Sequence, residues 1–365
     1  MRPFSKLKLV VTAMALTAAI LTTTGTAKAR PPSTDKPAFG ATFHGVWNYS
    51  TDAERNTALQ RFKNSGGTWI RTDLMWSDIE PSRGTYDAAA LARYDNAVNL
   101  ASAKGLKVLA VISTTPAWAH QGSSDILAPP SDPATYAAFA ASMAQRFKGK
   151  VNAIELWNEP NSSDFFTPSS EGNRVRDYFA MEKAAYVAVK GADPTMTVMA
   201  AGVSYVDDAW WSKLYQLGIS RYTDAVAVHP YMSPSNLPPS APDAGGIWRI
   251  NHLPALIAVM TKYGDATKPI WLTEFGWSSH SSPSPENWNQ GVTEAQQAQY
   301  LQGTLELLSA QYPQVTNVFW YNLRDRTDST PQENNYGLLN TDLSPKPAMA
   351  TLYKIYRLRG GWPPS

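Results

Sequence analysis

Two glutamates stand in contexts that could do chemistry together: Glu159 in ELWNEP and Glu274 in IWLTEFG. Each closes a short strand-like run, so each is expected at the C-terminal end of a β-strand. A pair of carboxylates at such a mouth suits cleavage of a glycosidic bond. One group must give a proton to the leaving oxygen, and the other must attack or stabilise an oxocarbenium-like centre. A lone glutamate at a strand end is more often an ordinary capping or salt-bridging group; the pair carries the reading.

The elements that must position this pair can be read along the chain. Strand-like runs cover Phe39–Val46, Trp69–Leu74, Lys107–Ser113, Ala153–Glu159, Thr197–Ser204, Asp224–Tyr231, Pro269–Phe275 and Val315–Leu323. Several are nearly continuous apolar runs, as strands buried on both faces are. Helical patterns alternate with them. Asp132-Pro133 gives an N-cap and a first-turn proline ahead of Tyr136, Phe139, Met143 and Phe147. Thr293 and Gln296 form a capping-box pattern ahead of Leu301, Leu305 and Leu308. Asp87 opens a helix with Leu91, Tyr94 and Val98, and Lys346 to Tyr356 could close the last unit. Eight such units in one α/β domain predict a (β/α)8 TIM barrel, whose reactive groups stand at the C-terminal strand ends. Strict alternation puts Ile270 and Leu272 on the face of Glu274, and Glu155 and Trp157 on that of Glu159. Long polar segments at Ser233–Gly246, Ser278–Gly291 and Arg324–Asn335 follow strands and so flank the same mouth.

Residues 1–29 read as a signal peptide. Arg2, Lys6 and Lys8 precede the apolar stretch Leu9 to Leu21, and Ala27-Lys28-Ala29 fits a cleavage site. The expected result is a secreted or extracytoplasmic protein without membrane insertion. Residues 30–38 read as a flexible arm and 39–365 as a single catalytic domain. The formal net charge of +2 becomes about −2 once the four basic leader residues are removed. No Lys/Arg cluster remains to support nucleic-acid binding. The chain has no cysteine, and its five histidines lack metal-ligand spacing, so neither a metal nor a cofactor is expected. Thirteen Trp and seventeen Tyr exceed the ordinary needs of a core and suit stacking on sugars.

With these motifs in view, the chain resembles the clan of retaining glycosidases that share a (β/α)8 barrel. The run V-x-x-I-E-L-W-N-E-P-N, with T-E-F-G-W and the late NNYGLL and DLSPKPA, looks most like glycoside hydrolase family 39; the cellulase-like family 5 comes next. The resemblance covers most of residues 39–357. It implies Glu159 as general acid/base and Glu274 as nucleophile of a double displacement on a carbohydrate substrate. It implies that Asn158 holds a sugar 2-hydroxyl. His229 and Tyr231 match the clan's His-x-Tyr, Tyr231 donating to Glu274. Arg71 matches a cation near the nucleophile, although an interior ion pair with Glu155 is the equal alternative. Trp320 matches an aromatic platform under the sugar at the cleavage point. Outside the resemblance, Trp118 and Trp277 are further platform candidates, Trp47, Trp76 and Trp288 weaker ones, and His44 could reach a sugar hydroxyl. A monomeric, endo-acting hydrolase is expected. The alternatives are exo action, transglycosylation and a non-catalytic carbohydrate-binding barrel. The sugar and its linkage are not named by any of these residues.

Overall fold

The structure, a computed structural model, describes residues 36–120, 123–281 and 284–358. The signal-peptide segment and most of the expected arm lie outside the described residues. No described helix is long and apolar enough to cross a membrane.

Nine parallel strands form one sheet: β1 Ala38–Thr42, β2 Trp69–Met75, β3 Lys107–Ser113, β4 Ala153–Leu156, β5 Thr197–Ala200, β6 Val203–Ser204, β7 Val226–His229, β8 Ile270–Phe275 and β9 Val315–Trp320. Their order is β5-β4-β3-β2-β1-β9-β8-β7-β6. The expected fifth strand, Thr197–Ser204, is broken in two. Its first half pairs with β4 and its second with β7, so this one segment joins the two ends of the sheet and completes the (β/α)8 barrel. The break falls at Ala201 and Gly202. A Cβ on Gly202 would lie 2.2 Å from His229 Nε2 and 2.3 Å from Thr273 Oγ1, so only glycine lets the chain bend this close to β7 and β8.

The helices fall where periodicity and caps place them. Asp87 accepts from Ala90 N–H to open Ala88–Ala103, and Asp132 accepts from Ala134 N–H to open Pro133–Arg146. Thr293 and Gln296 complete a reciprocal capping box on Glu294–Gln311. A second capping box, Thr51 with Glu54, opens Asp52–Asn64.

The barrel interior is filled by Trp69, Leu109, Met199, Trp271 and Phe319, with alanines between them. Trp69 meets Trp271 edge-on at 5.2 Å although β1 and β9 separate their strands, so the rings touch across the interior. The outward strand faces, including Ile270 and Leu272, join the larger core beneath the helices. Strict alternation therefore misplaces Glu274. It is Trp271 and Thr273, not Ile270 and Leu272, that point inward. A register shift between Leu272 and Phe275 inserts one residue opposite β9 and lets Glu274 face the mouth beside Thr273.

Candidate active site

The C-terminal strand ends open into a cavity of about 920 Å³, lined by Arg71, Asn158, Glu159, Tyr231 and Glu274 among others. Among the described residues five non-glycine positions have positive φ: Thr114, Trp157, Glu159, Tyr205 and Leu343. The first four all line this cavity. Backbone of this kind costs on the order of 1 kcal/mol or more per residue and gathers at functional sites. At β4 it ends the strand at Leu156 and turns Glu159 (φ 44°) into the mouth; Glu159 N–H donates to Gly202 O at 2.9 Å. The expected shared face of Glu155, Trp157 and Glu159 does not survive this turn.

A carboxylate oxygen of Glu159, a nitrogen of His229 and a carboxylate oxygen of Glu274 lie within 4.8 Å of one another. Each glutamate has its own set of partners. Glu274 accepts from Tyr231 Oη at 2.9 Å on one oxygen and from Arg71 Nη1 on the other. Arg71, 2% exposed, also donates from Nε to Glu155 at 2.7 Å and from Nη2 to Asn158 Oδ1 at 2.8 Å. The two readings of Arg71 are thus both true: it pairs with the interior Glu155 and with Glu274. Burial works against its charge, but these two carboxylates outweigh that and hold its pKa above the usual value. Tyr231 is pushed well above its ordinary pKa by burial and by the neighbouring Glu274, which keeps it a hydrogen-bond donor.

Glu159 accepts from Ser204 Oγ at 2.6 Å on Oε2 and faces His229 Nδ1 at 2.6 Å on Oε1. His229 is fully buried beneath the cavity and bonds Glu159, not a place where sugar could bind. Burial lowers its pKa, yet the Glu274 and Glu159 carboxylates prevail and raise it. His44 lines the cavity as expected; its Nδ1 bonds Asp73 at 3.0 Å, and its ring stacks on Trp47 at 4.0 Å.

The three expected tryptophan platforms are elsewhere. Trp320 lies on the outward face of β9 and is fully buried against Phe275, its Nε1–H donating to Tyr336 O at 2.8 Å. Inward parity on β9 belongs to Phe319 and then to Tyr321, and Tyr321 is the ring that lines the mouth. Trp277 is buried beneath the loop after β7, donating to Leu237 O at 2.8 Å. Trp118 donates to Glu80 O at 2.8 Å and lies between Arg83 and Trp76, away from the cavity lining. Of the weaker candidates, Trp76 is core, whereas Trp47 and Trp288 are exposed and line the cavity, as does Phe165. Sequence reasoning missed Ser204 and Thr273. The first stands at a C-terminal strand end, the signal that had singled out the glutamates; the second depends on the β8 register shift, which no pattern announces.

The model of the cellulase family, glycosyl hydrolase family 5, matches residues 32–323. The chain belongs to this family. No curated protein sequence matches it. Among solved structures it is similar to a family 39 glycoside hydrolase from the gut symbiont Bacteroides cellulosilyticus WH2, at TM-score 0.69 and 26% identity. That match covers 89% of this chain and 64% of the other, so this chain spans under two thirds of that relative's length. It is also similar to the GH39 enzyme from Xanthomonas axonopodis pv. citri, at TM-score 0.68 and 17% identity, covering 90% and 68% of the two chains. A GH5_18 structure from Streptomyces cattleya in complex with GlcNAc matches at TM-score 0.68 and 16% identity, over 90% and 82%. The last two likenesses speak for the fold alone. The chain thus falls in the family its motifs placed second, on a barrel shared with the family they placed first.

Proposed function

We propose that this family 5 chain cleaves O-glycosidic bonds with retention, by double displacement through a covalent glycosyl-enzyme ester. The approach of Glu159 and Glu274 to within 4.8 Å on the cavity floor carries the reading. Retaining enzymes hold their carboxyl groups about 5–5.5 Å apart, whereas inverting enzymes need roughly 6.5–9.5 Å to admit a water. In the first step a Glu274 oxygen bonds to the anomeric carbon while Glu159 gives its proton to the departing oxygen. In the second, Glu159 takes a proton from water, whose oxygen bonds to the anomeric carbon and releases Glu274. Arg71 and Tyr231 orient the nucleophile by donating to its two oxygens. Arg71 also occupies Asn158 Oδ1, which leaves the Asn158 amide NH₂ to donate to the sugar 2-hydroxyl.

The lining favours neutral sugars. Asp73, Glu159, Asp164, Glu274, Asp328 and Glu333 face it against Arg71 and Arg326 as the cationic side chains, a balance that repels uronic acids. Trp47, Phe165 and Trp288 come from loops after β1, β4 and β8 and offer stacking faces around the mouth, which supports endo action along an extended chain. One observation favours the exo alternative. Arg326 lies over the Trp47 ring at 4.7 Å and bonds Tyr321 and Asp328, which joins the loops after β1 and β9 into a wall. Early medium-length oligosaccharides support the cleft; release of one small unit from the start supports the wall. Residues 1–29 are proposed to direct the chain out of the cytoplasm, testable by N-terminal sequencing of the mature protein.

The role assignment is tested by azide rescue. With Glu159→Ala, azide should restore turnover of an activated aryl glycoside and give a retained glycosyl azide; with Glu274→Ala it should give an inverted one. The reverse pattern means the roles are exchanged.

A further inference from the structure

Below the two glutamates lies a buried chain of polar groups whose hydrogens can be assigned by elimination. Glu155, fully buried, receives Arg71 Nε–H at 2.7 Å on Oε2. Its Oε1 receives Gly202 N–H at 2.7 Å and Thr273 Oγ1–H at 2.9 Å. Three donors, the Arg71 guanidinium among them, leave it an acceptor only. Thr273 spends its one hydrogen on Glu155, so toward His229 Nε2, 3.0 Å away, it can only accept. His229 must then carry its hydrogen on Nε2. Its Nδ1 faces Glu159 Oε1 at 2.6 Å, a separation that requires one proton between them. With Nε2–H fixed, a neutral His229 accepts that proton from Glu159.

We propose that Glu155, acting through Thr273, fixes the Nε2–H tautomer of His229 and thereby holds on the His229–Glu159 pair the proton that Glu159 delivers to the leaving group. Glu155 and Thr273 are positioning residues here; neither lines the cavity. Without this chain, His229 can turn to the Nδ1–H tautomer, donate to Glu159 and favour its carboxylate, which is the wrong form for a general acid. The other titratable or charged groups around the pair are Glu274 on β8, Arg71 on β2, and Tyr205 and Tyr231 after β6 and β7.

The inference rests on the retaining reading above, and its test has an arm that does not. In full-length protein labelled with ¹⁵N-histidine, long-range ¹H–¹⁵N spectra report each tautomer; five histidines are few enough to assign by substitution. Wild-type His229 should show a protonated Nε2, and Thr273→Val should move the hydrogen to Nδ1. In kinetics, Thr273→Val should move the alkaline limb of kcat/KM toward acid by about one pH unit. It should slow glycosides with poor leaving groups by about 100-fold while sparing activated aryl glycosides. Thr273→Ser, which keeps the hydroxyl, should behave as wild type on every readout and serves if the valine variant does not fold. A wild-type His229 protonated on Nδ1 alone overturns the proposal, as does a Thr273→Val enzyme whose pH limb and leaving-group dependence are unchanged. Loss of all turnover in wild type with the tautomer as stated would instead sink the hydrolase reading.

Discussion

Gly202→Ala concentrates the coupling between barrel closure and site chemistry in one methyl group. The new Cβ would stand 2.2 Å from His229 Nε2 and 2.3 Å from Thr273 Oγ1, more than 1 Å inside an ordinary contact. Neither atom is at the end of a flexible chain: both belong to fully buried side chains bonded to each other at 3.0 Å. Overpacking a rigid core costs about 1–3 kcal/mol. Separating the His229–Thr273 bond without access to water adds about 1–3 kcal/mol. The sum, about 2–6 kcal/mol, corresponds to a fall in Tm of about 3–9 °C for a chain of this size. Gly202 also donates to Glu155 and accepts from Glu159 N–H, so the same shift moves the acid/base. Activity on a poor leaving group should drop at least about 100-fold. Differential scanning fluorimetry and steady-state kinetics read both effects. A Tm within about 1 °C of wild type and unchanged kcat/KM would refute the claim that this contact is unyielding.

Trp47→Ala and Trp288→Ala should each lower kcat/KM on a long oligosaccharide by about 2- to 10-fold and leave a short aryl glycoside nearly unaffected, as expected for a lost stacking face. Trp320→Ala should instead cost about 3–5 kcal/mol of stability, measured by denaturant unfolding, because its ring is core. His252 bonds Asp243 at 3.0 Å and Asp208 at 3.1 Å, tying the loop after β7 to helix Asp208–Leu217. Burial lowers its pKa but the two carboxylates outweigh this and raise it. A raised folded-state pKa gives stability that is fully present below the unfolded value of about 6.5 and is lost as pH rises through the folded value. Wild type should therefore exceed His252→Gln in Tm near pH ~5.5, with the gap closing above pH ~8; a gap independent of pH would show that the ion pairs contribute nothing.

That Glu159, Glu274, Asn158, Arg71, His229 and Tyr231 gather in one place was legible in the sequence, because strand ends in a barrel point to one mouth and short motifs fix which residue stands there. What was not legible depended on parity. One inserted residue in β8 put Thr273 and Glu274 on the same side, and positive φ at Trp157 ended the alternation of β4 early. The tryptophans show the same limit from the other direction. Trp320 and Tyr321 are neighbours, and only the pairing of β9 decides which ring lies against helices and which faces the mouth. Trp118 and Trp277 follow strands as a platform should, but each finds a backbone carbonyl for its indole N–H beneath a loop, a partner that spacing along the chain does not reveal.

The most direct test of the central claim is the stereochemistry of the first product. Purified protein is mixed with a glycan it cleaves, and proton NMR spectra are collected before mutarotation sets in. With Glu159 and Glu274 carboxylate oxygens within 4.8 Å, the first reducing end should carry the anomeric configuration of the bond that was cut. An initial product of inverted configuration would contradict the double displacement and the assignment of Glu274 as nucleophile.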